Sequence, residues 1–154
     1  MATLTQAERD ATVINPDMKR VKVGDLVGKP LVLVFFPAAF TSVCTTEMCT
    51  FRDSMARFNA LDARVYGLSI DTPFTLKVFA EQNGLTFPLL SDANREAIRA
   101  FDVIWPDLAG VREASNRAVF VVDGNGEIVY RWVGDNPGQE PAYGEVIAAV
   151  EKLQ

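Results

Sequence analysis

Histidine is absent from the 154 residues. That absence removes a Ser-His-Asp triad, a Cys-His dyad and the common histidine-containing zinc sites together. Cysteine occurs only twice, too few for a disulfide-scaffolded secreted domain. Two thiols also cannot fill a tetrahedral structural metal site by themselves, although carboxylates could add ligands. Positive charge is scarce: 15 Lys and Arg against 20 Asp and Glu leave a formal net charge of -5. Such a balance argues against nucleic acid or an anionic membrane as the main partner. No apolar run reaches membrane-spanning length, and the opening segment Met1 to Asp10 lacks the apolar core of a signal peptide. The expected setting is reducing and cytoplasmic, with no membrane or nucleic-acid partner. Any catalysis must activate its nucleophile by charge and hydrogen bonding, without imidazole.

Apolar residues, by contrast, make up 49% of the chain, enough for one compact domain over residues 1–154 with a sizeable core. No repeat or low-complexity tract is present. Along the chain, residues 3–10 read as a frayed helical turn. Thr12 to Ile14 and Arg20 to Val23 read as a hairpin around Asn15-Pro16-Asp17. Leu31 to Phe36 is a run of buried-strand character that Pro37 must end. The apolar positions Met48, Phe51, Met55, Phe58 and Leu61 predict a helix to about Leu61. Ala63 to Ile70 is the next strand, followed by a helix from Pro73 to Gln82 that stops at Asn83-Gly84. Phe87 to Leu90 is short and apolar, Ser91-Asp92 caps a helix through about Phe101, and Val103 to Arg112 reads as an irregular loop. Arg117 to Asp123 and Ile128 to Val133 flank the turn Gly124-Asn125-Gly126, and a last amphipathic helix starts near Pro141. This order predicts an α/β fold, a central mixed sheet between helical layers in a three-layer sandwich, with an N-terminal β-hairpin.

The chemistry concentrates just beyond Pro37. Thr41 and Ser42 are both acceptable N-caps, so Cys44 falls in the first turn of a helix that follows a buried strand. The unpaired N–H groups and dipole of a helix start favour anions, and there a thiol pKa of about 8.5 can drop to roughly 3.5–7.5. A drop to about 6 turns a mostly protonated thiol into a mostly ionised one, a difference of about 3.4 kcal/mol. Unpaired cysteines are more often small buried hydrophobes, but the coincidence of strand, proline, threonine and helix start favours a nucleophile here. Thr41 precedes the sulfur by three residues, and its hydroxyl can cap the helix and donate to the thiolate or to an oxygen attacking it. Arg117, at the edge of a buried strand, reads equally well as a solvated strand end or as a site residue. Glu47 lies in the turn after the caps, where a carboxylate suits the positive helix end.

The spacing Pro-x3-Thr-x2-Cys at Pro37, Thr41 and Cys44 resembles the active-site signature of the peroxiredoxins. A second cysteine five residues on, Cys49, is similar to the spacing of the bacterioferritin-comigratory or Q-type branch. The wording Phe-Thr-x2-Cys-x2-Glu-Met also resembles the one-cysteine alkyl hydroperoxidase E branch. The resemblance covers most of the chain but is loose before residue 31, where the usual Ala-Pro-Asp-Phe-like stretch is shortened or reworded. It implies a thioredoxin-like fold and a thiol peroxidase that reduces hydrogen peroxide and organic hydroperoxides without metal, flavin or haem. Cys44 would be the peroxidatic cysteine, Thr41 would bind the peroxide oxygens, and Pro37 would shield the sulfur from water. Arg117 would hold the thiolate and polarise the peroxide, with Glu47 orienting its guanidinium. Cys49 would be the resolving cysteine, with a thioredoxin-like dithiol as reductant.

Cys49 remains a fork. Residues five apart on a helix have Cα atoms roughly 8.5–9 Å apart, whereas disulfides need less than about 7 Å. A Cys44–Cys49 bond therefore requires the first helical turns to unwind. Alternatively, Cys49 only packs and the enzyme uses one cysteine. A thioredoxin-like disulfide oxidoreductase is a further reading, weakened by Cys-x4-Cys in place of the usual Cys-x2-Cys. A non-catalytic binding protein on the same fold is another. The chain reads equally as a monomer or a homodimer.

Overall fold

Alternation along one central strand divides the molecule into its layers. In β4 (Leu31–Phe35) every residue is buried; Leu31, Leu33 and Phe35 belong to one apolar core, while Val32 and Val34, with Phe36 beyond them, belong to another. Each such side chain contributes about 1.5–3 kcal/mol by leaving water. The computed structural model describes residues 2–154 apart from the side chain of Cys44.

In chain order, β1 (Ala2–Thr3) and α1 (Gln6–Asp10) lead into the hairpin β2 (Thr12–Ile14) and β3 (Arg20–Lys22), and a 3-10 turn at Val23–Leu26 precedes β4. Then come α2 (Ser42–Asp53), α3 (Met55–Ala60), β5 (Arg64–Ser69), α4 (Pro73–Asn83), β6 (Leu89–Ser91) and α5 (Glu96–Ala100). The chain ends with β7 (Ile104–Leu108), β8 (Val111–Ser115), β9 (Ala118–Val122), β10 (Glu127–Val133) and α6 (Tyr143–Glu151). Eight strands form one sheet in the order β1-β10-β9-β4-β5-β6-β2-β3, parallel over β4-β5-β6 and antiparallel elsewhere. One face is covered by α2, α3, α4 and α6 through Met48, Phe51, Phe58, Phe79, Val146 and Val150. The other is covered from α5 and the N-terminal segment through Ile98, Leu4 and Val23. The expected three-layer α/β sandwich with an N-terminal hairpin is therefore the observed one. Gly67 in β5 permits the close approach beneath α2: a Cβ there would meet Leu89 Cδ2 at 2.6 Å and Met48 Sδ at 3.4 Å.

Three expectations need correction. The helix expected to run to Leu61 is interrupted at Ser54, whose hydroxyl bonds back to Thr50 O at 3.0 Å and whose N–H is shared between Thr50 O and Phe51 O. Serine competes with the helical ladder in this way, and apolar periodicity does not register it. Residues 103–112 are not an irregular loop: β7 and β8 form a separate two-stranded sheet around Ala109-Gly110, both at positive φ. Pro106 inside β7 argues against a strand by the usual sequence rule, which holds less firmly for a strand with only one neighbour. Finally, Ser91-Asp92 does not sit directly at a helix start. The chain turns through Arg95 first, and Asp92 then accepts from Ala97 N and Ile98 N, both at 2.9 Å.

Candidate active site

The buried strand β4 brings Pro37 to the end of the sheet, and the loop after it is held from below. Ala39 N donates to Asp71 Oδ2 at 2.8 Å, Ser69 Oγ donates to the same oxygen at 2.7 Å, and Ser91 Oγ donates to Asp71 O at 2.6 Å. The ends of β5 and β6 thereby fix the backbone that leads into α2. Phe40 adopts a positive φ of 66°, uncommon for a residue with a side chain, and its ring rests edge-on against Phe79 at 5.2 Å. Thr41 is the N-cap by backbone, its carbonyl accepting from Thr45 N at 2.9 Å. Its hydroxyl makes no cap bond and instead donates to Ala38 O at 3.0 Å. The capping half of its expected double role is therefore absent, because the turn at Phe40 brings the Ala38 carbonyl within reach. The backbone of Cys44 lies in the first turn of α2; its thiol, on which the expected peroxidatic role falls, is outside the described residues.

Arg117 precedes β9 and is 2% exposed, while Glu47 on α2 is fully buried. Arg117 Nη1 donates to Glu47 Oε1 at 3.3 Å, and Nε donates to Pro137 O. The flanking segment is tied down by Gly134 N on Arg117 O at 2.9 Å and by Asn116 Nδ2 on Gly134 O at 2.8 Å. Arg117 is thus neither a solvated strand end nor a loose surface cation. Glu47 lies beyond the first turn of α2, so its carboxyl meets the guanidinium and not the helix start, where the sequence alone had also allowed it. Burial pushes its carboxyl up to about 8, against the opposing pull of Arg117, and Glu140 adds to the rise. Glu47 Oε2 has no hydrogen-bond partner among the described residues.

A cavity of about 450 Å³ opens over the start of α2, lined by Pro37, Ala38, Thr41, Ser42 and Val43 on one side and by Leu108, Ala109 and Val111 on the other. Arg117, Pro137 and Gly138 complete it. The structure therefore brings Pro37, Thr41 and Arg117 to one cavity at the helix start, with Glu47 behind Arg117. Cys49 faces elsewhere: half-buried on α2, its Sγ lies 3.9 Å from Asn83 Oδ1 at the end of α4. The hairpin tip and the 137–138 loop were missed from the sequence, as was Asp71. The Ala109-Gly110 pair between short apolar segments was the available signal for the hairpin, whereas nothing local marked Asp71. What the geometry can do is gather an oxygen-bearing substrate between a helix N-terminus, a buried guanidinium and a hydroxyl, a setting suited to charge developing on oxygen.

Comparison with known proteins agrees. The AhpC/TSA family model matches residues 4–131. A Mycobacterium tuberculosis peroxiredoxin is 37% identical over 120 residues, covering 77% of this chain and 76% of its own. Peroxiredoxin Bcp of Bacillus subtilis is 37% identical over 114 residues, 73% of each chain. The Xanthomonas campestris bacterioferritin comigratory protein superposes with a TM-score of 0.81 at 26% identity, covering 99% of this chain and 96% of that one. The family match and these relatives identify a thiol peroxidase, an oxidoreductase that uses peroxide as acceptor. The chain belongs to the AhpC/TSA family, within its Q-type peroxiredoxin branch. Membership implies a peroxide substrate and a thioredoxin-type reductant in general terms. No helix among the described residues is long and apolar enough to cross a membrane.

Proposed function

We propose that Cys44 is the peroxidatic nucleophile and Cys49 its resolving partner, for hydrogen peroxide and organic hydroperoxides alike. The Cys44 thiolate attacks one peroxide oxygen; the O–O bond breaks, the sulfur becomes sulfenic acid, and the other oxygen leaves as water or alcohol after taking a proton. Cys49 then attacks the sulfenic sulfur, releasing water and forming a disulfide, which a thioredoxin-like dithiol reduces by exchange. Arg117 and the N–H groups of the α2 start stabilise the thiolate and the charge developing on oxygen. Glu47 orients Arg117, Thr41 contacts the peroxide oxygens, and Pro37 keeps water from the sulfur. The observation that carries this reading is the convergence of the α2 start, Thr41, Pro37 and Arg117 on one cavity. A cytoplasmic setting, in which thiol reductants are abundant, and action as a single domain belong to the same proposal.

Stopped-flow oxidation of the reduced protein by several peroxides, with mass analysis of the product, tests it. Cys44→Ser is expected to abolish peroxide consumption, and alkylation of Cys44 is expected to titrate well below about pH 8.5. Full consumption by Cys44→Ser would remove the proposal. A second reading is favoured by the contact of Cys49 with Asn83: Cys49 packs only, and an external thiol resolves the sulfenic acid. Peptide mapping of peroxide-treated protein separates the two by the presence or absence of a Cys44–Cys49 link.

A further inference from the structure

A two-stranded hairpin standing apart from the main sheet is marginal in water. Yet β7–β8 holds Leu108, Ala109 and Val111 against the cavity above the start of α2. Its ladder has a gap. Pro106 lies between the pairs Trp105–Ala114 and Asp107–Arg112, opposite Glu113. Counted from the two-residue turn at Ala109-Gly110, that position would be hydrogen-bonded in a regular ladder, but proline has no N–H to give there and Glu113 itself leaves the extended conformation, at φ 52°. The Glu113 carbonyl is taken instead by Arg95 Nε at 3.0 Å, while Nη2 reaches Arg112 O at 3.4 Å. Arg95 itself sits just before α5 at φ 62°, a conformation that costs a side-chain-bearing residue more than it costs glycine. The exposed Arg99–Glu113 pair at 3.5 Å adds little to this attachment.

We propose that Arg95 is a positioning residue for substrate selection: by supplying the donor that Pro106 lacks, it holds the hairpin tip as the apolar wall against which the organic group of a bulky hydroperoxide packs. This rests on the reading that Cys44 attacks peroxide in the same cavity. Hydrogen peroxide carries no organic group, so its reduction does not depend on that wall.

The test compares cumene hydroperoxide with hydrogen peroxide in the full chain. Arg95→Gly keeps the backbone conformation accessible while deleting the guanidinium. Its kcat/KM for cumene hydroperoxide is expected to fall about five- to tenfold, mainly through KM, with hydrogen peroxide changed less than about twofold. Adding Pro106→Ala restores an N–H opposite Glu113 and is expected to recover much of the loss. Equal losses on both peroxides, no loss on either, or no recovery in the double variant would overturn the role of Arg95. Because Arg95→Gly retains Cys44, its turnover of hydrogen peroxide shows the cysteine chemistry intact. Failure of the Cys44 reading would appear separately, as a Cys44→Ser protein that still consumes hydrogen peroxide.

Discussion

Arg117 and Glu47 form a buried hydrogen-bonded pair, Nη1 to Oε1 at 3.3 Å, in which neither side chain is more than 2% exposed. With Nε on the Pro137 carbonyl, the pair clamps the guanidinium between α2 and the loop after β10. Removing one member of a buried pair leaves the other uncompensated.

Glu47 therefore gives the protein a pH dependence of known sign. Its folded pKa is raised from 4.5 to about 8, chiefly by burial. Below about pH 4.5 both states are protonated and its contribution to stability is complete. Between there and about pH 8 the unfolded chain is ionised while the folded one stays protonated, so stability falls by at most about 1.4 kcal/mol per pH unit and then levels off. In Glu47→Gln this slope is expected to disappear, as urea denaturation at a series of pH values would reveal. A slope equal to that of the parent would mean that Glu47 titrates normally.

Formation of a Cys44–Cys49 disulfide must open the start of α2, because both residues belong to one continuous helix and helical spacing holds their Cα atoms too far apart. Amide exchange in residues 42–53 is expected to rise on oxidation by peroxide and to return on reduction. Cys49→Ser should show no such rise. Unchanged protection in oxidised parent protein would speak against an intramolecular bond.

Asp71 governs the loop that carries Thr41, through the bond from Ala39 N at 2.8 Å. Asp71→Ala leaves that N–H without its acceptor, a loss of about 1–3 kcal/mol, and frees the turn at Phe40. The second-order rate with hydrogen peroxide is expected to drop about tenfold, as misplacement of catalytic groups commonly does. Asp71→Asn, which keeps an acceptor oxygen, should lie much closer to the parent. Stopped-flow fluorescence on the three proteins decides it.

Asp92 is buried and accepts from Ala97 N and Ile98 N. Asp92→Ala is expected to cost about 1–3 kcal/mol at pH 7 by orphaning the first N–H groups of α5. Burial raises the Asp92 carboxyl from 3.8 to about 6, so its own contribution weakens as pH climbs from about 4 to about 6. Asp92→Asn, which cannot titrate, should lose that part of the pH profile in thermal melts.

Much of this was readable beforehand because single side chains announce it locally. The unbroken apolar run from Leu31 to Phe36 identified the central strand, and Pro37 with Thr41 located the helix start. Arg117 stood out as a charge beside an apolar strand, though only the folded chain supplies its partners, 70 residues away for Glu47 and 20 for Pro137. The β7–β8 hairpin escaped because its missing donor is replaced by Arg95, 18 residues earlier than Glu113. The break at Ser54 depends on which way one hydroxyl turns. Asp71 acts through a main-chain N–H, which has no side-chain signature at all.

The interruption at Ser54 also bounds how far disorder can travel. Because α3 begins afresh at Met55 and is rooted by Met55 and Phe58 in the core, its turns do not depend on those before them. Melting that started at the cavity end of α2, as the proposed Cys44–Cys49 bond requires, would meet a firebreak there, and the floor under β5 would outlast it.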